Sequence, residues 1–223
     1  MVDFAGAVCT VALIVFLTGA LLVPMDLSRG AKLWLAGIVG LWAGVAAWVA
    51  AAGWMPIARP VPLVGIFIAV SLIAAALLIR QPLMSLPLSL IVGLNIPRIV
   101  GFLFLVLQAQ GRLSGPFPHS AGWGDIITGA VAVPMLWLAH EPKRNALLLH
   151  AWNLFGLADL MAAIGLGIMS AEGSPLQVFP APGSAAMTTF PWSFVPTVLV
   201  PIWIILHAAI FVQLRRFSAS PTP

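Results

Sequence analysis

The chain has no tyrosine, a single cysteine and very little charge: only 7% of its 223 residues are Asp, Glu, Lys or Arg. An ordinary soluble domain carries about 25%. Too few polar groups are present to cover a water-facing surface, which excludes a soluble globular domain. Cys9 alone excludes an intramolecular disulfide, and no CxxC or CxxCH motif for metal or haem attachment is present. Six acidic residues against ten basic ones leave a net charge of +4. Nearly all of the basic residues are scattered at segment ends and they form no stripe, so nucleic acid is excluded as a partner.

What is abundant is apolar: 61% of the residues are hydrophobic and the mean hydropathy is +1.10. The bilayer is therefore the expected solvent and the first partner. Seven apolar segments, at 4–24, 33–55, 62–79, 87–109, 122–139, 146–169 and 194–214, each approach the ~20 residues that cross a ~30 Å hydrocarbon core. The first begins Met1-Val2-Asp3, without a positive n-region, so it reads as a mature helix and not as a cleaved signal. The expected fold is all-α: one transmembrane domain over 1–223, a seven-helix bundle of a polytopic membrane protein.

Orientation follows from the cations. With the N-terminus outside, Arg29, Lys32, Arg80, Lys143, Arg144, Arg215 and Arg216 fall inside, against Arg59 and Arg112 outside. Seven against two is the positive-inside asymmetry, so the expected topology is N-terminus out, C-terminus in. Compact loops and an alanine-rich composition suggest a bacterial inner (plasma) membrane.

The informative stretch runs from Gly93 to Asp159, where polar residues interrupt the apolar spans. Asn95 and Arg98, three apart, share a helical face. Pro97 removes a backbone donor and should break the ladder near Gly93. At about 1.5 Å per residue, Arg98 lies roughly 15 Å from the inner end and Asp159 roughly 18–20 Å. The match in depth predicts an Arg98–Asp159 ion pair, with Asp125 as the competing partner. Such a pair either locks helices in register or marks a ligand or ion pathway. The ligand-binding candidates are Arg98, Asp159, Asp125, Asn95, Gln108 and Asn153, lining a cavity open to the outer face. No catalytic residue is assigned.

Three functional readings follow. The leading one is binding or passage of a small polar or anionic ligand, with Arg98 as the charged contact and the acids as counter-ions or proton carriers. The second is a non-catalytic subunit or assembly factor of a larger membrane complex. A small-residue stripe of Ala36, Gly40, Gly44 and Ala47 would admit another helix, from a different subunit or a second copy. The third is a b-type haem electron carrier using His150 and His207, against which their unequal depths weigh. No His-x-x-x-His or Glu-x-x-His pair and no G-x-S-x-G elbow occurs, so no metal site and no hydrolase are expected.

Helix count and an outside N-terminus are shared with microbial rhodopsins and heptahelical receptors, and the likeness ends there. The last span has His207 and no mid-helix lysine for retinal, and without tyrosine the Asn-Pro-x-x-Tyr signature is absent. The connection from Ser170 to Ser193 is the longest and carries Phe179, Phe190 and Trp192. Its apolar anchors predict either a loop lying on the surface or one folded back as a lid.

Overall fold

A computed structural model describes residues 1–56 and 63–219, and its regular structure there is helical. In chain order the α-helices are α1 (Val2–Leu22), α2 (Arg29–Ala51), α3 (Leu63–Leu78), α4 (Arg80–Met84), α5 (Leu88–Gly93), α6 (Phe102–Ala109), α7 (Phe117–Leu138), α8 (Ala146–Met169) and α9 (Val200–Ala219). Six helical stretches are long and apolar enough to cross a membrane: α1, α2, Leu88–Ala109, α7, α8 and Val195–Phe217. The seventh expected span is α3, whose 16 residues reach only about 24 Å. Its expected first residue, 62, and the outer cation Arg59 lie outside the described residues.

Local chemistry accounts for the helix ends. Ser28 caps α2 by accepting from the Ala31 amide at 3.2 Å, so α2 begins four residues before its expected start at 33. The fifth span also begins earlier than 122. Pro116 and Pro118 do not break the chain there; they open α7, where a missing N–H has no intrahelical acceptor to lose.

The fourth span is discontinuous. α5 stops at Gly93, a 3₁₀ segment runs from Ile96 to Gly101, and α6 follows. Pro97 sits in the first turn of the 3₁₀ segment, since its ring forbids continuation of the α ladder. The Leu94 carbonyl left over by this break accepts from the Trp203 indole at 3.3 Å. A π turn, Val195–Leu199, introduces α9 and contains Pro196 near its start.

α7 packs between the broken 88–109 span and α8, and α9 closes the bundle against α8, α5 and α3. α1 and α2 lean on each other and on the π turn. At one end of the bundle, Asp3 accepts from Arg112 at 2.5 Å and from the Trp192 indole at 2.7 Å. Ser114 and Gly183 exchange two hydrogen bonds at the same end, at 3.0 and 2.9 Å. Gln213 reaches the Leu86 carbonyl at the other end, at 3.0 Å. The connection after α8 therefore lies over the bundle end that holds the N-terminus. Trp192 is 1% exposed, so this loop is a packed cap.

Candidate functional site

Arg98 leaves the 3₁₀ segment and enters the seam between α7, α8 and α9, where it is completely buried. A guanidinium has five N–H donors in a rigid fork. Nε donates to Asp125 Oδ1 at 2.7 Å and Nη2 to Asp159 Oδ2 at 2.7 Å. Nη1 donates to the Gly156 carbonyl at 3.2 Å and to His207 Nε2 at 2.9 Å. Because Arg98 can only donate, His207 Nε2 must be the acceptor, and the ring proton sits on Nδ1, which donates to Asn153 Oδ1 at 2.8 Å. Asn153 in turn donates to the His207 carbonyl at 3.1 Å. The histidine is thus held neutral by its partners on both sides.

Two indoles wall the cluster. The Trp203 ring lies 5.8 Å from the Arg98 guanidinium carbon, within cation–π range. Trp152 stacks obliquely on His207 with centroids 5.8 Å apart and donates to the Thr128 carbonyl at 3.1 Å.

Glycine is what lets these helices come so close. A Cβ at Gly124 would overlap the Asp159 carboxylate, and one at Gly101 would overlap Asp125. A Cβ at Gly156 would stand 2.5 Å from His207 Cε1 and 2.8 Å from Thr128 Cγ2. At Gly129 it would meet the Ile99 amide nitrogen at 2.7 Å and the Ile96 carbonyl at 2.8 Å. Real Cβ atoms do not approach that closely, so each position accepts only hydrogen without a shift of backbone or ion pair.

The structure brings Arg98, Asp125, Asp159 and Asn153 into one network. Arg98 does not choose between the two acids; it binds both. Asn95 is buried but folds back onto the Ile91 and Val92 carbonyls at 3.1 and 3.4 Å, apart from the ion cluster. Gln108 is half-buried and joins neither the cluster nor the cavity beside it.

His207, one of the two haem-ligand candidates, is committed within the cluster. Both ring nitrogens of His207 are engaged, by Arg98 and Asn153, so neither lone pair faces an iron. His150 packs edge-on against Phe211 with centroids 5.7 Å apart. Among the described residues no group of three or more His, Cys, Asp or Glu is arranged to hold a metal ion. Sequence reasoning weighed His207 as a haem ligand or a hydrogen-bonded packing residue without tying it to Arg98, and it missed Gly101, Gly124 and Gly156. A signal was present: each buried charge has a glycine within three positions, Arg98 with Gly101, Asp125 with Gly124 and Asp159 with Gly156.

A cavity of about 250 Å³ lies beside the cluster, between α3, α7, α8 and the start of the last span, beneath the cap. Its walls are apolar, among them Ile68, Phe104, Phe117, Leu160 and Ile164, with hydroxyls from Ser174, Ser184 and Thr188. Among the described residues Asp125 is the only ionisable one in the lining. The cavity thus ends on the carboxylate that holds Arg98.

Residues 61–215 match the model of a family described as a domain of unknown function, DUF8737. The match spans well over half of the chain, and the protein belongs to this family. It includes every member of the ion cluster and leaves out α1 and α2. No curated protein and no solved structure matches the chain.

Proposed function

We propose that the protein is a seven-helix protein of a bacterial plasma membrane, N-terminus outside and C-terminus inside, that binds or passes a small polar ligand at the Arg98–Asp125–Asp159 cluster. α3 supplies the seventh span in this reading, and tilt of its neighbours or local thinning of the bilayer accommodates its length. The seven cations at one set of ends against two at the other support the orientation. The observation that carries the ligand is the cavity. It lies in the bundle half nearer the N-terminal end and has one charged floor, Asp125, among mostly apolar walls with three hydroxyls from the cap. Binding pockets combine apolar lining with few, placed polar groups in this way, and ionisable groups at membrane depth mark sites of passage.

The test uses the full chain in mild detergent. Native mass spectra, recorded as purified and after adding a panel of small amines, carboxylates and neutral polar solutes, should show one saturable adduct. Ala163→Phe would place a ring in the cavity from α8 without touching the ion cluster and should remove that adduct while circular dichroism stays unchanged. If no member of the panel binds and no small molecule co-purifies, the ligand reading falls.

A specific observation also favours the subunit reading. Ala36, Gly40 and Gly44 face outward, and a Cβ at either glycine would meet nothing within 4 Å. The stripe has no partner helix among the described residues. A stoichiometric second polypeptide in the native spectrum, with no small-molecule adduct, would favour this reading.

A further inference from the structure

Resting on the ligand reading, we infer that the ligand is a monovalent organic cation with an apolar body, and that a proton replaces it when it leaves. The cluster holds one guanidinium and two carboxylates, and His207 is neutral because its Nε2 accepts from Arg98. With both acids ionised the sum is one negative charge. Each acid gives one oxygen to Arg98, and among the described residues Asp125 Oδ2 and Asp159 Oδ1 receive no hydrogen bond. The side chains of Asp125 and Asp159 are only 10% and 7% exposed. An unmatched ionised carboxylate in such surroundings is costly, and a membrane interior offers no mobile counter-ion at the same depth.

One positive charge therefore completes the site, and two sources can supply it. A proton on either carboxylate does so without using the cavity. A cation seated in the cavity does so by facing Asp125. Around Asp125 the ionisable groups are Arg98 from the 3₁₀ segment, Asp159 from α8 and His207 from α9, while Glu172 of the cap is exposed. α3 contributes no ionisable side chain. On α7 itself, His119 lies nearly two turns toward the capped end. Among the described residues no other side chain in the cavity wall can balance an anion: a carboxylate or phosphate ligand would meet Asp125 first, while Arg98 lies behind it with four N–H bonds already made. The walls set the rest of the chemistry, since among the described residues a bare metal ion would find one carboxylate, three neutral hydroxyls and hydrocarbon. An organic body fits those walls.

The probe is benzyltrimethylammonium, whose charge does not titrate. Calorimetric titrations of the full chain in detergent, in two buffers of different ionisation enthalpy, give both affinity and protons released. The expected result is release approaching one proton per cation on the acidic side, with affinity rising up to tenfold per pH unit. Asp125→Asn keeps an oxygen for Arg98 Nε and leaves the cluster neutral. It should weaken the cation at least a hundredfold and abolish proton release, with the protein still folded and monodisperse. Cation binding without proton release, flat across pH, overturns the exchange and leaves the ligand reading standing. Failure of the probe and of every small amine at all pH values, with a neutral or anionic solute bound instead, overturns the cation class alone. No binding of any solute overturns both.

Discussion

The α1–α2 pair and the α7–α8–α9 seam are both built from long apolar helices, yet they use glycine in opposite ways. In α2, Gly40 and Gly44 lie on an outward face with open space around them. In the seam, Gly101, Gly124, Gly129 and Gly156 are all buried against a neighbouring helix, and three of them border the ion cluster directly. In lipid, apolar side chains gain nothing by leaving hydrocarbon for protein, so helices associate through close packing and polar contacts. The seam has both. The α1–α2 pair has neither along its small-residue stripe, and it also lies outside the matched family region, 61–215. A small residue in a span is thus informative about packing only together with what stands opposite it.

Substitutions can break or sharpen that contrast. The largest effect is expected from Arg98→Leu, which strands two carboxylates that now share one guanidinium. Removing one partner of a buried pair costs about 3–5 kcal/mol, read as a fall in the SDS concentration at half-unfolding. Gly124→Ala comes next, because its methyl would displace the Asp159 carboxylate. Overpacking of this kind costs about 1–3 kcal/mol, and the same SDS titration should show it. An unchanged midpoint would mean that α7 and α8 are farther apart than described.

Smaller again is Trp192→Phe. It deletes the indole donor to Asp3 while keeping a ring against Gly6, at a cost of about 1 kcal/mol. Faster amide hydrogen exchange should appear in the 170–194 cap and the first turns of α1, with the ion cluster unaffected. The smallest effect belongs to Gly40→Ala and Gly44→Ala in the isolated chain. Each should be neutral or stabilising, by up to about 0.5–1 kcal/mol, because alanine in a helix loses less backbone entropy. Clear destabilisation of the purified protein by either would show that the stripe is an occupied interface, most directly by a second copy of the chain.

Much of the architecture was legible in advance. The apolar runs place six helices that meet spanning length. Where expectation and structure part, the reason is local. Prolines 116 and 118 read as loop residues and instead open α7, because a proline at a helix start and a proline in a turn look alike in sequence. The depth argument paired Arg98 with one acid. It could not anticipate that one guanidinium would hold two, since depth is a coordinate along the helices and says nothing of their order around the bundle.

Taken by itself, the sequence determines the apolar character of the chain and the approximate positions of its long helices. These depend on composition and on a 1.5 Å rise per residue, both local properties. Only the tertiary structure decided that Arg98 meets Asp125, Asp159 and His207, partners 27, 61 and 109 positions away. It also decided that glycines 101, 124 and 156 are contacts while glycines 40 and 44 are not. The physical reason is that helix adjacency is a collective outcome of packing and hydrogen bonding across several spans, and no window of sequence contains it.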